Sequence, residues 1–214
     1  MVKAVIFDVD GTLVDTERLG MAAWNQAAID LGLELPAETL RGFIGRNLAD
    51  VLDILAELYG NREDGERLWA RHREIRTVME ETDLVLKPGA AECIDALAAA
   101  GLTVTVATSA RRVTAETNLE RVGLLNKFAH LTCGDEVEHG KPDPEIYLLA
   151  ARRAGVAPEE CAVVEDSRNG CLSGLAAGAH VYAVPDIVPL PVEIADCCEA
   201  VLTTLNDLPA AILR

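Results

Sequence analysis

Two aspartates separated by one residue follow an apolar run near the start of the chain. The run from Val2 to Phe7 predicts a buried strand, and it ends at Asp8-Val9-Asp10-Gly11-Thr12. Carboxylates two positions apart in a loop can share a metal ion, or can divide the roles of nucleophile and acid. The same pattern also occurs in solvated turns and at the start of calcium loops. A calcium loop is flanked by helices, however, whereas a strand comes first here.

Three further polar groups accompany this pair. Thr108 and Ser109 follow the run LTVTVA, Glu165 and Asp166 follow CAVV, and Lys141 lies in Gly-Lys-Pro-Asp-Pro. Polar residues at the carboxyl ends of parallel strands line the ligand crevice of the sheet. Each group alone has an ordinary alternative, such as a helix cap or a solvated surface charge. Together they predict a magnesium-assisted phosphoryl site, in which carboxylates bind the cation and hydroxyl, amide and ammonium groups hold the phosphate.

Apolar runs alternate with helical patterns along most of the chain. After the first run, further runs cover 102–107, 129–133, 161–164 and 180–184. Helical patterns cover 89–100, 113–122, 144–154 and 168–177, and a glycine follows each of them. This alternation predicts an α/β fold, a Rossmann-like parallel sheet with helices on both faces.

One segment interrupts the alternation. Residues 16–81 contain no strand pattern, and their large apolar residues recur at helical spacing, which predicts three or four helices. We therefore expect a small all-helical domain over 16–81, inserted after the first strand. The α/β core then consists of 1–15 and 82–214. Two short connections between the domains would permit hinge motion.

Charge, apolar runs and cysteine spacing together limit the partners and the cellular location that we expect. The chain has 214 residues, with 19 basic and 35 acidic side chains and a net charge of −16. Its basic clusters are no longer than two residues, so we expect no nucleic-acid partner. No apolar run approaches the ~20 residues of a membrane helix, and the start of the chain has no signal-peptide pattern. The six cysteines contain no Cys-x-x-Cys pair. We expect a cytoplasmic protein with reduced thiols, either a monomer or a small homo-oligomer.

The order of the motifs resembles a known superfamily. Asp-Val-Asp-Gly-Thr, Thr-Ser, Gly-Lys-Pro-Asp-Pro and Val-Val-Glu-Asp-Ser-x-x-Gly follow one another as in the haloacid dehalogenase superfamily. The resemblance spans residues 3–184. The helical insertion is similar to the cap of the branch that contains beta-phosphoglucomutase and many sugar-phosphate phosphatases.

The resemblance implies a role for each matching residue. Asp8 would be the nucleophile that forms an aspartyl-phosphate, and Asp10 the acid that protonates the leaving alkoxide and then the base that activates water. Thr108 and the amide of Ser109 would hold the phosphoryl oxygens, and Lys141 would bridge Asp8 and the phosphate. The Mg²⁺ ligands implied are the Asp8 side chain, the Asp10 backbone carbonyl, Asp166, and Glu165 directly or through water.

The resemblance leaves phosphatase and mutase to be distinguished. The mutase has a histidine in its first cap helix, and Gly20 stands at the matching position here. The mutase also has an arginine that grips the second phosphate of its substrate, and the segment Gly42 to Asn47 does not match that spacing. Both departures favour a magnesium-dependent phosphatase. A sugar phosphomutase remains the alternative on this fold, and a non-catalytic phosphate-binding module is the alternative of another class.

The cap also limits the substrate. A helical cap that closes over the core excludes water and a macromolecular substrate, so we expect a small phosphorylated metabolite such as a sugar phosphate. Arg46 and Asn47, in a glycine-rich turn of the cap, are the candidate substrate contacts.

Overall fold

The computed structural model describes residues 1–44, 46 and 48–213. The chain forms two compact units. The first unit contains residues 1–15 and the residues from 85 onward, and the second contains residues 16–84.

The first unit is built on a six-stranded sheet. Its strands are β1 (Ala4–Phe7), β2 (Thr103–Thr108), β3 (Leu131–Cys133), β4 (Cys161–Glu165), β5 (His180–Ala183) and β6 (Ala200–Val201). Their order is β3-β2-β1-β4-β5-β6, and every neighbouring pair is parallel. β1 lies at the centre, where Phe7 is in register with Val106 of β2 and Val164 of β4. The residues that follow β1, β2 and β4 therefore lie at one edge of the sheet.

The α-helices in the described residues are, in chain order, α1 (Thr16–Leu31), α2 (Ala37–Arg41), α3 (Leu48–Tyr59), α4 (Arg62–Thr82), α5 (Ala90–Ala99), α6 (Arg112–Arg121), α7 (Glu145–Ala154), α8 (Arg168–Ala176), α9 (Val192–Ala195) and α10 (Leu208–Ile212). Helices cover both faces of the sheet, so the predicted α/β class is confirmed. α5 to α8 begin and end within one residue of the predicted patterns, because glycines such as Gly155, at φ 68°, stop them.

The core of the first unit lies between β1 and its neighbours. All four residues of β1 are completely buried, as is typical of a central parallel strand. One cluster joins the sheet to α7 and α8 through Ile6, Ile146, Val163 and Cys171. This packing fixes the ends of β1 and β4.

The second unit is helical throughout its described elements. α1 and α3 both pack on α4. Its core contains Trp24, Phe43, Leu55 and Leu68. In the part of the chain that the structure describes, no helix is long and apolar enough to cross a membrane.

Candidate active site

Asp8 is the first residue after β1, and it is buried with 6% of its surface exposed. Its backbone N–H donates to the carbonyl of Val164 at 3.0 Å, which extends the β1–β4 pairing by one residue. The chain then turns at Gly11, whose φ is +85°. A Cβ at Gly11 would collide with the carboxylate of Asp166. Glycine is therefore required here both for the turn and for the approach of the second acidic residue.

Lys141 joins the ends of three strands. Its Nζ donates to Asp8 Oδ1 at 2.6 Å, to Glu165 Oε1 at 2.7 Å and to the carbonyl of Ala107 at 3.2 Å. The side chain is 6% exposed, so the ammonium group is held in a largely desolvated place. The structure thus brings together the lysine and two of the carboxylates that the sequence placed at this edge.

Glu165 is fixed by hydrogen bonds on both oxygens. Oε2 accepts from the N–H of Asp166 at 3.1 Å and from the N–H and hydroxyl of Ser167 at 3.0 and 2.9 Å. A Cβ at Gly170, in the first turn of α8, would collide with this carboxylate. The glycine of the fourth motif therefore makes the space that Glu165 occupies.

Tyr147 belongs to the site, although the sequence analysis did not identify it. Its hydroxyl donates to Glu165 Oε1 at 2.8 Å, and Lys141 Nζ lies 4.9 Å from the centre of its ring. Tyr147 is 1% exposed. Its position on α7, six residues after Lys141, is also that of an ordinary aromatic residue of the core. The sequence alone therefore did not indicate that Tyr147 belongs to the site.

The pKa values of this buried group reflect both burial and charge. Burial raises the pKa of Asp8 to about 8, because desolvation and the nearby carboxylates outweigh the attraction of Lys141. Burial alone would lower the pKa of Lys141, but Asp8 and Glu165 raise it well above its usual range. Burial acts to raise the pKa of Glu165 as well, yet the Lys141 ammonium and the hydrogen bonds hold it below its ordinary value.

Asp10, Thr108 and Ser109 occupy the neighbouring positions. Thr108 is completely buried, accepts from the N–H of Ala110 at 3.1 Å, and lies 3.5 Å from Asp10 Oδ2. A distance of 3.5 Å is at the limit of a hydrogen bond. Ser109 is exposed at the end of β2.

Three carboxylates could hold a metal ion. Ligand oxygens of Asp8, Glu165 and Asp166 all lie within 4.8 Å of one another. Thr12 also reaches this group, because its hydroxyl donates to Asp166 Oδ1 at 3.3 Å. An all-oxygen donor set suits a hard divalent cation. Three carboxylates around one ammonium group leave negative charge in excess, so the residues present fit such an ion.

The candidate substrate contacts lie in the second unit. Arg46 is exposed in the connection between α2 and α3, and its N–H donates to the carbonyl of Phe43 at 3.1 Å. Asn47 lies outside the described residues.

Comparison with known proteins gives the family. Residues 2–178 match the family of haloacid dehalogenase-like hydrolases, and the chain belongs to that family. It is a phosphoric monoester hydrolase, as its phosphatase relatives are.

Two curated relatives and one solved structure illustrate the likeness. The chain is 35% identical to the phosphorylated carbohydrates phosphatase of Thermotoga maritima, over 85% of each chain. It is also 35% identical to hexitol phosphatase A of Escherichia coli, over 85% of this chain and 82% of the relative. A crystal structure from Thermotoga maritima, provisionally named a beta-phosphoglucomutase, has a TM-score of 0.83 and 31% identity over 99% of both chains.

Proposed function

We propose that this protein is a magnesium-dependent phosphatase that hydrolyses a small sugar phosphate through an aspartyl-phosphate on Asp8. The observation that supports the proposal best is the placement of Asp8: its Oδ1 accepts from Lys141 at 2.6 Å within a cluster of carboxylates at the sheet edge. Attack on a phosphate requires the ionised form of Asp8, and a divalent cation bound beside it would favour that form against the raised pKa.

The first half of the reaction transfers the phosphoryl group to the protein. An oxygen of Asp8 forms a bond to phosphorus as the ester P–O bond breaks. Asp10 gives its proton to the departing alkoxide, and the alcohol leaves. Thr108 and the N–H of Ser109 donate to the phosphoryl oxygens in this proposal.

The second half releases inorganic phosphate. Asp10, now a carboxylate, takes a proton from water as the water oxygen attacks phosphorus. The bond between phosphorus and Asp8 breaks, which restores the Asp8 carboxylate. One residue thus serves first as acid and then as base.

Lys141 reduces the repulsion between the carboxylate and the phosphate. Its ammonium group bridges Asp8 and the incoming anion, while Glu165 and Tyr147 hold it in place. Asp8, Glu165 and Asp166 would hold Mg²⁺, with the backbone carbonyl of Asp10. When bound, this ion supplies further positive charge against the equatorial phosphoryl oxygens.

We assign the helical unit, residues 16–84, the role of a cap, and the remaining residues the role of catalytic core. A cap that excludes water favours transfer to Asp8 over side reactions. Arg46 is the described candidate for contact with the substrate. The names of the Thermotoga and Escherichia relatives support a phosphorylated carbohydrate or sugar alcohol as substrate.

The proposal also places the protein in the cytoplasm, as a monomer or a small homo-oligomer. The acidic composition of the chain is compatible with both parts of this proposal.

The proposal is tested by release of inorganic phosphate from a panel of sugar phosphates. We expect release with Mg²⁺, its loss with chelator, and its loss in Asp8→Asn, which keeps the side-chain volume but removes the nucleophile. Undiminished release by Asp8→Asn contradicts the proposal. Interconversion of sugar-phosphate isomers without release of phosphate supports the mutase instead.

A further inference from the structure

The turn that follows β3 lies directly against the loop that follows β2. β3 is an edge strand of the sheet, and the chain continues from it into one turn of 3-10 helix, Gly134–Glu136, here called the β3 turn. The N–H of Gly134 donates to the carbonyl of Ala110 at 2.8 Å. A Cβ at Gly134 would lie only 2.2 Å from the carbonyl oxygen of Ser109. The β3 turn therefore fixes the backbone of Ser109 and Ala110 from one side.

The segment so fixed, residues 108–110, is here called the β2 loop. Within it, the N–H of Ala110 donates to Thr108 Oγ1 at 3.1 Å, and Thr108 is completely buried. The hydroxyl of Thr108 and the N–H of Ser109 are the groups that the proposed function assigns to the phosphoryl oxygens. Donors that are already aimed when the phosphate arrives need no reorganisation during the reaction. Contacts that fix the β2 loop therefore affect how well it can hold a phosphate.

Glu136 holds the β3 turn in place through both of its carboxylate oxygens. Oε2 accepts from the N–H of Cys133 at 2.9 Å, from Arg112 at 2.7 Å and from Arg153 at 3.0 Å. Oε1 accepts from a second nitrogen of Arg153 at 2.9 Å, so this pair is bidentate. The hydrogen bonds from Arg153, Cys133 and Arg112 lower the pKa of Glu136 to about 2. The carboxylate is therefore ionised at neutral pH.

The two arginines join this carboxylate to two different helices. Arg112 is the first residue of α6, which follows the β2 loop, and Arg153 lies in the last turn of α7. Both donate to the carbonyl of Leu131 in β3, at 2.9 and 3.0 Å. The N–H of Arg112 also donates to Asp135 Oδ1 at 3.1 Å, which satisfies one N–H at the start of α6. The ion-pair cluster thus ties β3 and its turn to both helices.

This cluster has an ordinary structural explanation, namely that two arginines cover the backbone of an edge strand. That explanation accounts for the bonds to Leu131. It does not account for the bonds of Asp135 and Gly134, because these run to the start of α6 and to Ala110 on either side of Arg111. The contacts of the β3 turn are therefore directed at the β2 loop as well as at the strand.

We propose that Glu136 is a positioning residue for phosphate binding: with Arg112 and Arg153 it fixes the β3 turn, and the turn holds the N–H of Ser109 where it can meet a phosphoryl oxygen. The inference rests on the proposed phosphatase function, because that function gives the β2 loop its phosphate. Glu136 itself does not touch the phosphate. The candidate metal ligands follow β1 and β4, so the effect should fall on phosphate and not on Mg²⁺.

Titration calorimetry with inorganic phosphate, in the presence of Mg²⁺, tests the inference without requiring turnover. Glu136→Gln keeps the size of the side chain, but turns an amide nitrogen towards N–H donors. We expect its Kd for phosphate to rise about tenfold, with a similar fall in kcat/KM. Removing a carboxylate from a chain with a net charge of −16 would by itself favour an anion. Weaker phosphate binding therefore reports a change of position and not a change of charge.

Two control variants make the same exchange elsewhere. Glu116→Gln removes another carboxylate partner of Arg112, an exposed pair at 3.1 Å. Glu199→Gln removes a carboxylate that lies 2.7 Å from His180 Nδ1 beside the opposite edge strand, β6. Both controls should bind phosphate within about twofold of wild type. Circular dichroism and thermal unfolding verify that each variant is folded.

A second variant moves the β2 loop without changing any charge. In Gly134→Ala the added methyl group is forced against the carbonyl of Ser109, so we expect phosphate to bind about tenfold more weakly here too. Mg²⁺ binding, measured without phosphate, should stay within about twofold of wild type in both Gly134→Ala and Glu136→Gln.

Three results overturn the inference. The first is unchanged phosphate affinity in folded Glu136→Gln and Gly134→Ala, even if both lose stability, because the cluster then serves only the edge strand. The second is an equal loss of phosphate affinity in Glu116→Gln or Glu199→Gln. The third is an equal loss of Mg²⁺ affinity, which indicates a general distortion of the site. Failure of the phosphatase proposal is distinct, because it appears as wild-type protein that binds phosphate but releases none from any ester.

Discussion

At the residue scale, the buried ammonium group of one lysine offsets the negative charge of the acidic residues at this edge of the sheet. Lys141 is 6% exposed and lies within 2.7 Å of oxygens from Asp8 and Glu165. Removing one partner of a buried charge pair leaves the other unpaired in a poorly solvated place, which costs about 3–5 kcal/mol. The lysine therefore contributes to folding as well as to the proposed chemistry.

Lys141→Met replaces the lysine with a side chain of similar length that carries no charge. We expect the free energy of unfolding to fall by about 3 kcal/mol and phosphate release to be lost, because Asp8 and Glu165 then lose their buried cationic partner. Urea denaturation and phosphate release measure the two effects. Lys127→Met is the control, because it removes an ion pair with Asp95 that is far more exposed to solvent. It should change the free energy of unfolding by less than about 1 kcal/mol. Activity retained by Lys141→Met contradicts the role given to the lysine.

Tyr147 contacts both Glu165 and Lys141, and we expect it to position them in the proposed site. Tyr147→Phe removes the hydroxyl that donates to Glu165 but keeps the ring below the ammonium group. We expect a loss of about 1–3 kcal/mol in unfolding free energy and a higher Mg²⁺ concentration for half-maximal activity, because Glu165 loses one of its fixed contacts. Tyr59→Phe removes an exposed hydroxyl that donates to a backbone carbonyl, and should alter neither quantity measurably. An unchanged Mg²⁺ requirement in Tyr147→Phe is the outcome that argues against this positioning role.

At the element scale, the sequence predicted where most strands end. It predicted fewer of the contacts between the side chains that follow different strands. Short apolar runs and glycine stops predicted β1, β2, β4 and β5 and the helices between them, because buried parallel strands and helix C-termini have local signals. The joining of Asp8, Lys141 and Glu165 followed from topology. Tyr147 and Thr12 could not be assigned from spacing alone, because their roles depend on which side chains the fold brings opposite them.

Gly170 and Gly20 are both helical glycines, yet we expect opposite responses to alanine. At Gly170 the added methyl group collides with Glu165, so Gly170→Ala should destabilise the protein and raise the Mg²⁺ requirement. At Gly20 the methyl group meets only an ordinary contact, so Gly20→Ala should stabilise it by about 0.5–1 kcal/mol. Thermal unfolding of the two variants measures the difference. Stabilisation by Gly170→Ala contradicts the packing described around Glu165, and destabilisation by Gly20→Ala contradicts the free space described at Gly20.

At the scale of the whole molecule, the carboxylate cluster of the candidate site belongs to the first unit, and an aromatic cluster that includes Trp24 and Trp69 belongs to the second. Each unit has its own buried core. Tryptophan fluorescence reports on the helical unit, since both tryptophans belong to it. The stability of that unit can therefore be followed separately from events at the sheet edge.

The pKa of His72 makes this stability depend on pH. The folded protein holds the pKa at about 4, below the ordinary 6.5 of the unfolded chain, so the unfolded state binds the proton more tightly. The contribution is fully present above pH 6.5 and is lost as the pH falls towards 4, by about 3 kcal/mol in total. Urea unfolding followed by tryptophan fluorescence should show this slope in wild type and in His130→Phe. In His72→Phe it should be flatter, and an equal slope there refutes the assignment.

The central claim is that Asp8 carries the phosphoryl group, and mass spectrometry of the acid-quenched protein tests it most directly. The protein is mixed with a substrate that it hydrolyses in the presence of Mg²⁺, quenched within the first turnover, and digested. The account predicts a mass gain of one phosphoryl group on the peptide that contains Asp8, absent in Asp8→Asn. Full hydrolysis with no phosphorylated peptide at any quench time, or a phosphoryl group on another residue, contradicts it.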